Sequence, residues 1–255
     1  MKPFLKLFCS AFLFINFPLL PFNCFCQNVL KVTFEVTTKN SIEEKYTGIL
    51  SYINNSSFFE LNGSLNGFSK FSFIDSLNPS SKMDISTNVK LKDPLYYSFD
   101  FTNNKMVYEE RVLDSTYIIE EHLDTIKWEI TQFTKNILGY NCKSATCELR
   151  GRKYIIWYTE DIPASIGPWK FYGLPGLILE AKDNKDIFCF TAKSIENDSI
   201  TVFNKNPINI NQTISFPVFI ERRKIYFTNF SKMMREKIPS NYQLIINHSG
   251  NIDLF

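Results

Sequence analysis

Apolar and polar residues alternate in a series of short segments along most of the chain. In the first of them, Leu30, Val32, Phe34 and Val36 are separated by single polar residues. A period of two is typical of a strand with one buried face. Comparable runs follow at residues 95–101, 105–111, 116–120, 145–150, 153–159, 177–182, 186–194 and 200–203. Short strands at this spacing, with polar turns between them, favour an antiparallel sheet over alternating β-α units.

Two further segments complete the predicted architecture. Asn54 and Asn55 separate the apolar runs 49–53 and 57–61, which predicts a hairpin. Apolar residues recur at helical spacing over 216–238, and Pro239 suits a helix stop. We expect a mainly β fold, an antiparallel curved sheet or half-open barrel, with this C-terminal helix packed on it. A helix lying on a membrane surface is the alternative for the same segment.

Composition excludes several classes of protein. The 255 residues include 28 Lys and Arg against 26 Asp and Glu, 16% of them are aromatic, and there are 2 histidines. A general nucleic-acid binder needs a large basic excess, and a disordered chain needs fewer aromatic residues and more net charge. Catalysis built on several histidines is excluded as well. The chain is therefore expected to form a globular domain that binds no nucleic acid.

The first 26 residues have the pattern of a secretory signal peptide. Lys2 and Lys6 are the only charges before Lys31, an apolar run follows, and Cys24-Phe-Cys26 supplies small residues before Gln27. We predict cleavage before Gln27, export to the periplasm or the cell exterior, and a single β-rich domain over 27–255. A transmembrane anchor and a lipid anchor on Cys24 or Cys26 are the alternatives. Prolines and asparagines interrupt the apolar run, and the residues before each cysteine do not suit lipid processing.

Removal of that segment changes the charge and the cysteine content. The formal charge falls from +2 to zero with the loss of the two lysines, and no later run is long enough to span a membrane. Cys142, Cys147 and Cys189 remain. Three cysteines permit one disulfide at most, so either three buried thiols or one bridge is expected. Histidines are scarce and no Cys-x-x-Cys pair occurs, so neither a metal site nor a cofactor site is predicted.

The most specific segment is 160–176, which we call the signature loop. Proline restricts its backbone at Pro163, Pro168 and Pro175, and Pro175-Gly176 predicts a type II turn with positive φ at Gly176. Its aromatic residues supply a large apolar surface that must be buried. A connection this long in a compact domain is usually functional or packed on itself. The candidate residues are Pro163, Gly167, Pro168, Trp169, Lys170, Phe171, Gly173, Leu174, Pro175 and Gly176.

At these residues the chain resembles a known family. Gly173-Leu-Pro-Gly-Leu-Ile178 is similar to the signature of the GLPGLI family of exported proteins, found mainly in Bacteroidetes. Further similar motifs occur at 137–142, 145–146, 151–152, 157–159, 162–163 and 167–172, so that the resemblance covers about 128–182. The family has no established activity and no agreed catalytic residues, so the resemblance implies none here. A Gly-Leu-Pro turn before a late strand is also similar to lipoprotein carriers, whose half-open barrels hold acyl chains.

No catalytic motif is present. The sequence lacks a nucleophile elbow, a zinc-protease motif, a phosphate-binding loop and a dinucleotide fingerprint. His122 is interpreted as a surface residue and His248 as part of an exposed loop. Glu109-Glu110 and Glu120-Glu121 are adjacent acids that point to opposite faces of a strand, which indicates solvated edges. Arg152 and Lys170 flank the signature and either contact an anion or hydrogen-bond loop carbonyls.

Two functional hypotheses follow. In the first, the curved sheet encloses an apolar cleft covered by the signature loop, and the exported protein is a non-catalytic carrier of an apolar or lipid-like molecule. In the second, the same loop simply fills the sheet, and the protein is a structural or protein-interaction component of the cell envelope. An enzyme is the least favoured class.

Overall fold

The computed structural model describes residues 28–39, 43–62, 65–75, 77–78, 80, 82–91, 94–112, 115–199, 208–237 and 242–247. The predicted signal peptide, the strand at 200–203, and Pro239 and His248 lie outside these residues. In chain order the strands are β1 (Asn28–Lys39), β2 (Glu43–Ile53), β3 (Ser56–Asn62), β4 (Leu65–Asp75), β5 (Lys82–Leu91), β6 (Leu95–Asp100), β7 (Lys105–Val112), β8 (Ser115–His122), β9 (Glu129–Ile137), β10 (Tyr140–Leu149), β11 (Arg152–Thr159), β12 (Leu177–Asp183), β13 (Phe188–Ser199), β14 (Thr213–Ser215) and β15 (Tyr242–Asn247). A 3-10 helix, Ile210–Gln212, precedes β14, and α1 (Phe216–Lys237) follows it.

Within the described residues, twelve strands form one sheet in the order β14-β8-β7-β6-β3-β2-β1-β13-β12-β11-β10-β9. All its neighbours are antiparallel except β14, which runs parallel to β8. The remaining strands form a three-stranded sheet in the order β15-β4-β5. The prediction of a mainly β fold with one C-terminal helix is confirmed for the described chain.

The large sheet curls until its two ends approach each other. β8 lies next to one end of the sheet and β9 forms the other end, yet only residues 123–128 connect them. A flat sheet would separate these strands by about 48 Å, whereas the connection spans at most about 25 Å. An ion pair between Arg150 and Glu121 joins the two ends directly. Because no ladder links β9 to β8 or β14 in the described chain, the sheet is a half-open barrel with a seam.

Local sequence explains the hairpins. The β2–β3, β9–β10 and β10–β11 turns each have two residues with positive φ, at Asn54-Asn55, Leu138-Gly139 and Arg150-Gly151. Two-residue hairpin turns favour positive φ at both residues, because the backbone twist of such a turn matches the twist of the flanking strands. The hairpin predicted around Asn54-Asn55 is therefore confirmed, and each turn fixes the register of the strands that it joins.

The concave side of the sheet forms the core. Val32, Phe34 and Val36 of β1 are buried there, as their alternation predicts, together with apolar side chains from both halves of the sheet. The signature loop contributes Trp169, Phe171 and Leu174 to the same core. The interior of the half-open barrel is thus filled from within by a loop that connects β11 to β12.

The helix packs on one end of the sheet, as predicted. The Phe219 ring meets the Tyr117 ring of β8 edge-on at 5.5 Å between centroids, and the Arg150 guanidinium lies 3.9 Å from the centroid of Phe216. Phe219 is fully buried, whereas Val218 and Ile225 are exposed. Among the described residues, no helix has both the length and the apolar character that a membrane crossing needs.

Candidate functional site

The signature loop enters the barrel and is held there by main-chain hydrogen bonds. Ile166 and Tyr172 pair as a short antiparallel bridge, and the Gly173 amide donates to the Ser165 carbonyl at 3.0 Å. The Ile178 amide of β12 donates to the Ile166 carbonyl at 2.9 Å. The loop is therefore a compact unit anchored to β12. Pro163, Gly173 and Pro175 are exposed on its outer side, whereas Gly167 and Pro168 are buried.

Trp169 lies at the centre of this core. Its side chain has 0% exposure, and its ring stacks on Phe190 at 6.3 Å and meets Phe171 at 5.3 Å. Its backbone has φ of 55°, a left-handed conformation that is costly for a residue with a β-carbon. Burial of the indole offsets this cost. The loop therefore fills the barrel and does not cover an open apolar cleft.

Two glycines of the loop are needed because other atoms approach them closely. A β-carbon on Gly176 would lie 2.0 Å from the Thr159 carbonyl oxygen, and one on Gly167 would lie 2.8 Å from Cβ of Ile178. The predicted type II turn with positive φ at Gly176 is wrong, because the left-handed glycine of the loop is Gly173, with φ of 89°. The sequence correctly predicted that glycine is needed at position 176, but it gave the wrong reason. The close packing of Gly176 against β11 leaves no local signal in the sequence.

The Gly176→Ala substitution is expected to lower the free energy of unfolding by about 3 kcal/mol, because the Thr159 backbone cannot move without disturbing β11. Gly173→Ala is the matched control. The nearest atom to its added β-carbon is 3.6 Å away, so only the backbone strain of about 1 kcal/mol should appear. Equilibrium unfolding in urea measures both. Equal losses in the two variants would contradict the close-packing explanation.

Lys170 is buried beside Trp169 and faces the opposite wall of the barrel. Its Nζ lies 3.3 Å from Oε1 of Glu110 and 3.5 Å from the centroid of the Tyr108 ring. Lys170 and Glu110 are 2% and 4% exposed, so this ion pair is inside the protein. The interpretation of Glu109 and Glu110 as a solvated edge is therefore wrong for Glu110. The pair joins the loop to β7 across the interior.

A second polar contact continues from Tyr108 to the seam. The Tyr108 hydroxyl donates to Oε2 of Glu121 at 2.9 Å, and the same carboxylate accepts from Arg150 at 2.5 Å. Arg150 comes from the β10–β11 turn and Glu121 from β8. These contacts hold together the two ends of the curled sheet, and they place charged groups on the walls of the seam.

The seam contains a cavity of about 850 Å³, which we call the seam cavity. Its walls come from the end of β8, the 123–128 connection, the β10–β11 hairpin and the loop residues Lys170 and Tyr172. The polar residues that line it include Glu121, His122, Asp124, Glu129, Glu148 and Arg150. A cavity of this volume has the size of a small-molecule or polymer-binding site.

Tyr172 fixes one wall of the seam cavity. Its hydroxyl donates to the Asp124 carbonyl at 2.5 Å, and its own carbonyl accepts from the Trp128 indole at 3.1 Å. Burial, and then the nearby Asp124 and Glu121 carboxylates, raise the pKa of Tyr172 to about 12. The phenol is therefore protonated at neutral pH and acts as a hydrogen-bond donor.

Comparison with known proteins gives a family. A family model described as the N-glycanase peptide, N-terminal domain, matches residues 85–215, just over half of the chain. The chain belongs to this family. The matched segment contains the signature loop, all strands that line the seam cavity, and the Lys170–Glu110 pair.

Two solved structures of PNGF-II, in space groups C2 and P21, are similar to this chain, each with 15% sequence identity and a TM-score of 0.49. They cover 74% and 76% of this chain, which spans 31% and 32% of theirs. The chain thus spans about a third of the length of those proteins. No curated protein matches it.

The remaining candidate residues have structural partners in this family member. Arg152 pairs with Asp183, Nη1 to Oδ2 at 3.2 Å, and lies 4.9 Å from the Phe188 centroid. Asp183 also accepts from the Ile187 and Phe188 amides, which shapes the β12–β13 turn. Arg152 and Lys170 each have a carboxylate partner, Asp183 and Glu110 respectively.

Cys142, Cys147 and Cys189 are free thiols in the structure. Cys142 and Cys147 are buried, and Cys189 is half-buried. Burial raises the pKa of Cys142 to about 11 and that of Cys147 to about 12. Both thiols are therefore protonated at neutral pH, and this state makes them poor nucleophiles.

His122 is exposed, as predicted, and lies on the wall of the seam cavity. No hydrogen bond or ion pair joins it to an acid among the residues that the structure describes. In that same part of the chain, no group of three or more His, Cys, Asp and Glu side chains is placed to hold a metal ion.

Proposed function

We propose that the protein is a non-catalytic binding module that holds a polar, carbohydrate-bearing ligand in the seam cavity. The observation that carries this proposal is the chemistry of the two spaces inside the sheet. The apolar interior is filled by Trp169, Phe171 and Leu174, whereas about half of the residues that line the seam cavity are charged or phenolic. Sites for polar ligands need such convergent donors and acceptors.

A sugar presents hydroxyl groups that both donate and accept. Asp124, Glu129 and Glu148 supply acceptors on the cavity wall, Arg150 and Lys153 supply donors, and the Tyr172 ring adds an apolar face. The family is named for an N-glycanase, which supports a ligand that carries a glycan.

The apolar-ligand form of the carrier hypothesis has less support. An acyl chain inside the sheet would have to displace Trp169, whose burial also stabilises a left-handed backbone. The proposal therefore keeps the binding role expected from the sequence, but it places the ligand in the seam cavity and not in the apolar interior.

The sequence pattern of residues 1–26 supports a further part of the proposal, namely that the module acts outside the cytoplasm, in the periplasm or at the cell exterior. The motifs over 128–182 support membership of the GLPGLI group of exported proteins. Export is tested by the N-terminal sequence and the location of the protein in the native cell.

Calorimetric titration with an asparagine-linked glycopeptide tests the binding role. We expect saturable binding that Asp124→Asn and Glu129→Gln each weaken about tenfold, because a hydrogen bond to a charged group contributes about 1.5–3 kcal/mol. Glu196→Gln, an exposed acid of β13 outside the cavity, is the matched control and should not change the affinity.

Two results would contradict the proposal. The first is no binding of glycopeptide or free oligosaccharide at millimolar concentration, which would favour a structural component of the envelope. The second is uptake of a fluorescent fatty acid together with indifference to sugars, which would restore the apolar carrier.

A further inference from the structure

The walls of the seam cavity are strand edges. Five consecutive residues of the β10–β11 hairpin line it, Thr146 to Arg150. Successive side chains of a strand point to opposite faces, so a cavity that touches all of them lies along the edge of the strand. The β9–β10 pairing ends at Thr146 and Glu129, so among the described residues no strand pairs with the rest of β10 on this side.

The hairpin turn determines which main-chain groups face the cavity. Arg150 and Gly151 form a two-residue turn, so Leu149 and Arg152 exchange both of their hydrogen bonds. Hydrogen-bonded and non-hydrogen-bonded residue pairs alternate along an antiparallel hairpin. The N–H and C=O of Glu148, the next residue, therefore point away from β11 and toward the seam cavity. They have no main-chain hydrogen bond to any residue of the 123–128 connection in the described structure.

The opposite wall has a matching edge. β14 pairs with β8 only as far as Glu120, and the β7–β8 pairing starts at Val112 and Ser115 with two residues between them. The same alternation turns the N–H and C=O of His122 away from β7 and toward the seam. Within the described chain these groups also have no main-chain hydrogen bond. Glu148 and His122 thus offer main-chain donors and acceptors on both sides of one cavity.

We propose that the seam cavity binds an extended peptide segment through its main chain, so that the ligand adds a strand at the seam. This inference rests on the proposed function and specifies which part of a glycopeptide the edges recognise. A strand presents an N–H and a C=O from the same residue at regular intervals, which complements the edge at Glu148. The acids and bases on the cavity walls are then available to the side chains and the sugar.

Three fluorescent probes separate the peptide from the sugar. They are an eight-residue peptide with a central Asn-x-Thr that carries one chitobiose, the same peptide without sugar, and free chitobiose. We expect the bare peptide to bind within about fivefold of the glycopeptide, and methylation of alternate peptide amides to weaken binding at least tenfold. Methyl groups remove donors and block strand addition while they leave the side chains unchanged.

A pair of variants tests the same contact from the protein side. Glu148→Pro removes the amide that faces the cavity, and Glu148→Ala removes only the side chain. Glu148→Pro should bind the bare peptide at least tenfold more weakly than Glu148→Ala does. Circular dichroism checks that both variants fold. If the proline variant does not fold, the methylated peptides still show whether the peptide binds through its main chain.

The outcomes are distinct. If chitobiose binds as well as the glycopeptide and amide methylation has no effect, the peptide inference is overturned and the proposed binding role is kept. If no probe binds, the proposed function itself is overturned. If the bare peptide binds and methylation abolishes binding, strand addition is supported.

Discussion

Trp169→Ala is expected to lower the free energy of unfolding by about 3–5 kcal/mol. The indole is fully buried and touches Tyr154, Phe171 and Phe190, which belong to three different parts of the structure. Its removal leaves a cavity in the middle of the barrel, and alanine would still have to adopt the left-handed φ of 55°. Urea unfolding followed by far-ultraviolet circular dichroism measures the loss without relying on tryptophan fluorescence.

Trp157→Ala is the matched control. Trp157 is half-buried on the outer face of β11, where Nζ of Lys135 lies 4.4 Å from its ring centroid. Its truncation creates no internal cavity and should cost less than half as much. Trp169→Phe is expected to be intermediate, because the buried Nε1 has no hydrogen-bond partner among the described residues and phenylalanine loses only packing. Equal losses at positions 169 and 157 would show that the loop does not support the core.

Local pattern was sufficient to predict much of the β structure. Alternation identified β1, and the pair Asn54-Asn55 identified the β2–β3 hairpin. Each of these signals is contained within a few consecutive residues. The helix was equally clear from its apolar spacing, and it extends over Phe216–Lys237. Only its predicted last residue, Ile238, lies outside the described chain.

Strand order could not be predicted in the same way. β3 pairs with β6 across the β4–β5 excursion, and β1 pairs with β13 across most of the chain. Nothing in the sequence of either partner specifies these neighbours. β9 was missed as well, because most of its residues are exposed and it carries no alternation of apolar and polar residues.

The candidate site was predicted in part. The sequence located the signature loop and required its aromatic residues to be buried, but it could not show whether the loop covers a cleft or fills the barrel. Glu110 was missed because a carboxyl group beside another acid resembles a solvated surface, and its partner Lys170 is distant in the sequence. The seam cavity was missed entirely, since it arises only from the closure of the sheet.

Lys170→Met is expected to lower the free energy of unfolding by about 3–5 kcal/mol, because it leaves the Glu110 carboxylate buried without its lysine. Glu110→Leu should cost a similar amount, since it leaves the lysine buried. The double variant, Lys170→Met with Glu110→Leu, removes both charges and replaces them with apolar groups of similar size. We expect it to recover most of the stability that either single variant loses.

A surface pair provides the control for this cycle. Nζ of Lys143 lies 2.7 Å from Oε2 of Glu160, but both side chains are almost half exposed. Lys143→Met and Glu160→Leu should each change the free energy of unfolding by less than about 1 kcal/mol, with little coupling between them. Urea unfolding of the wild type, the four single variants and the two double variants at pH 7 gives both cycles. If Lys170→Met proved as mild as Lys143→Met, the 170–110 pair would have to be solvated, and the loop could not be packed inside the barrel.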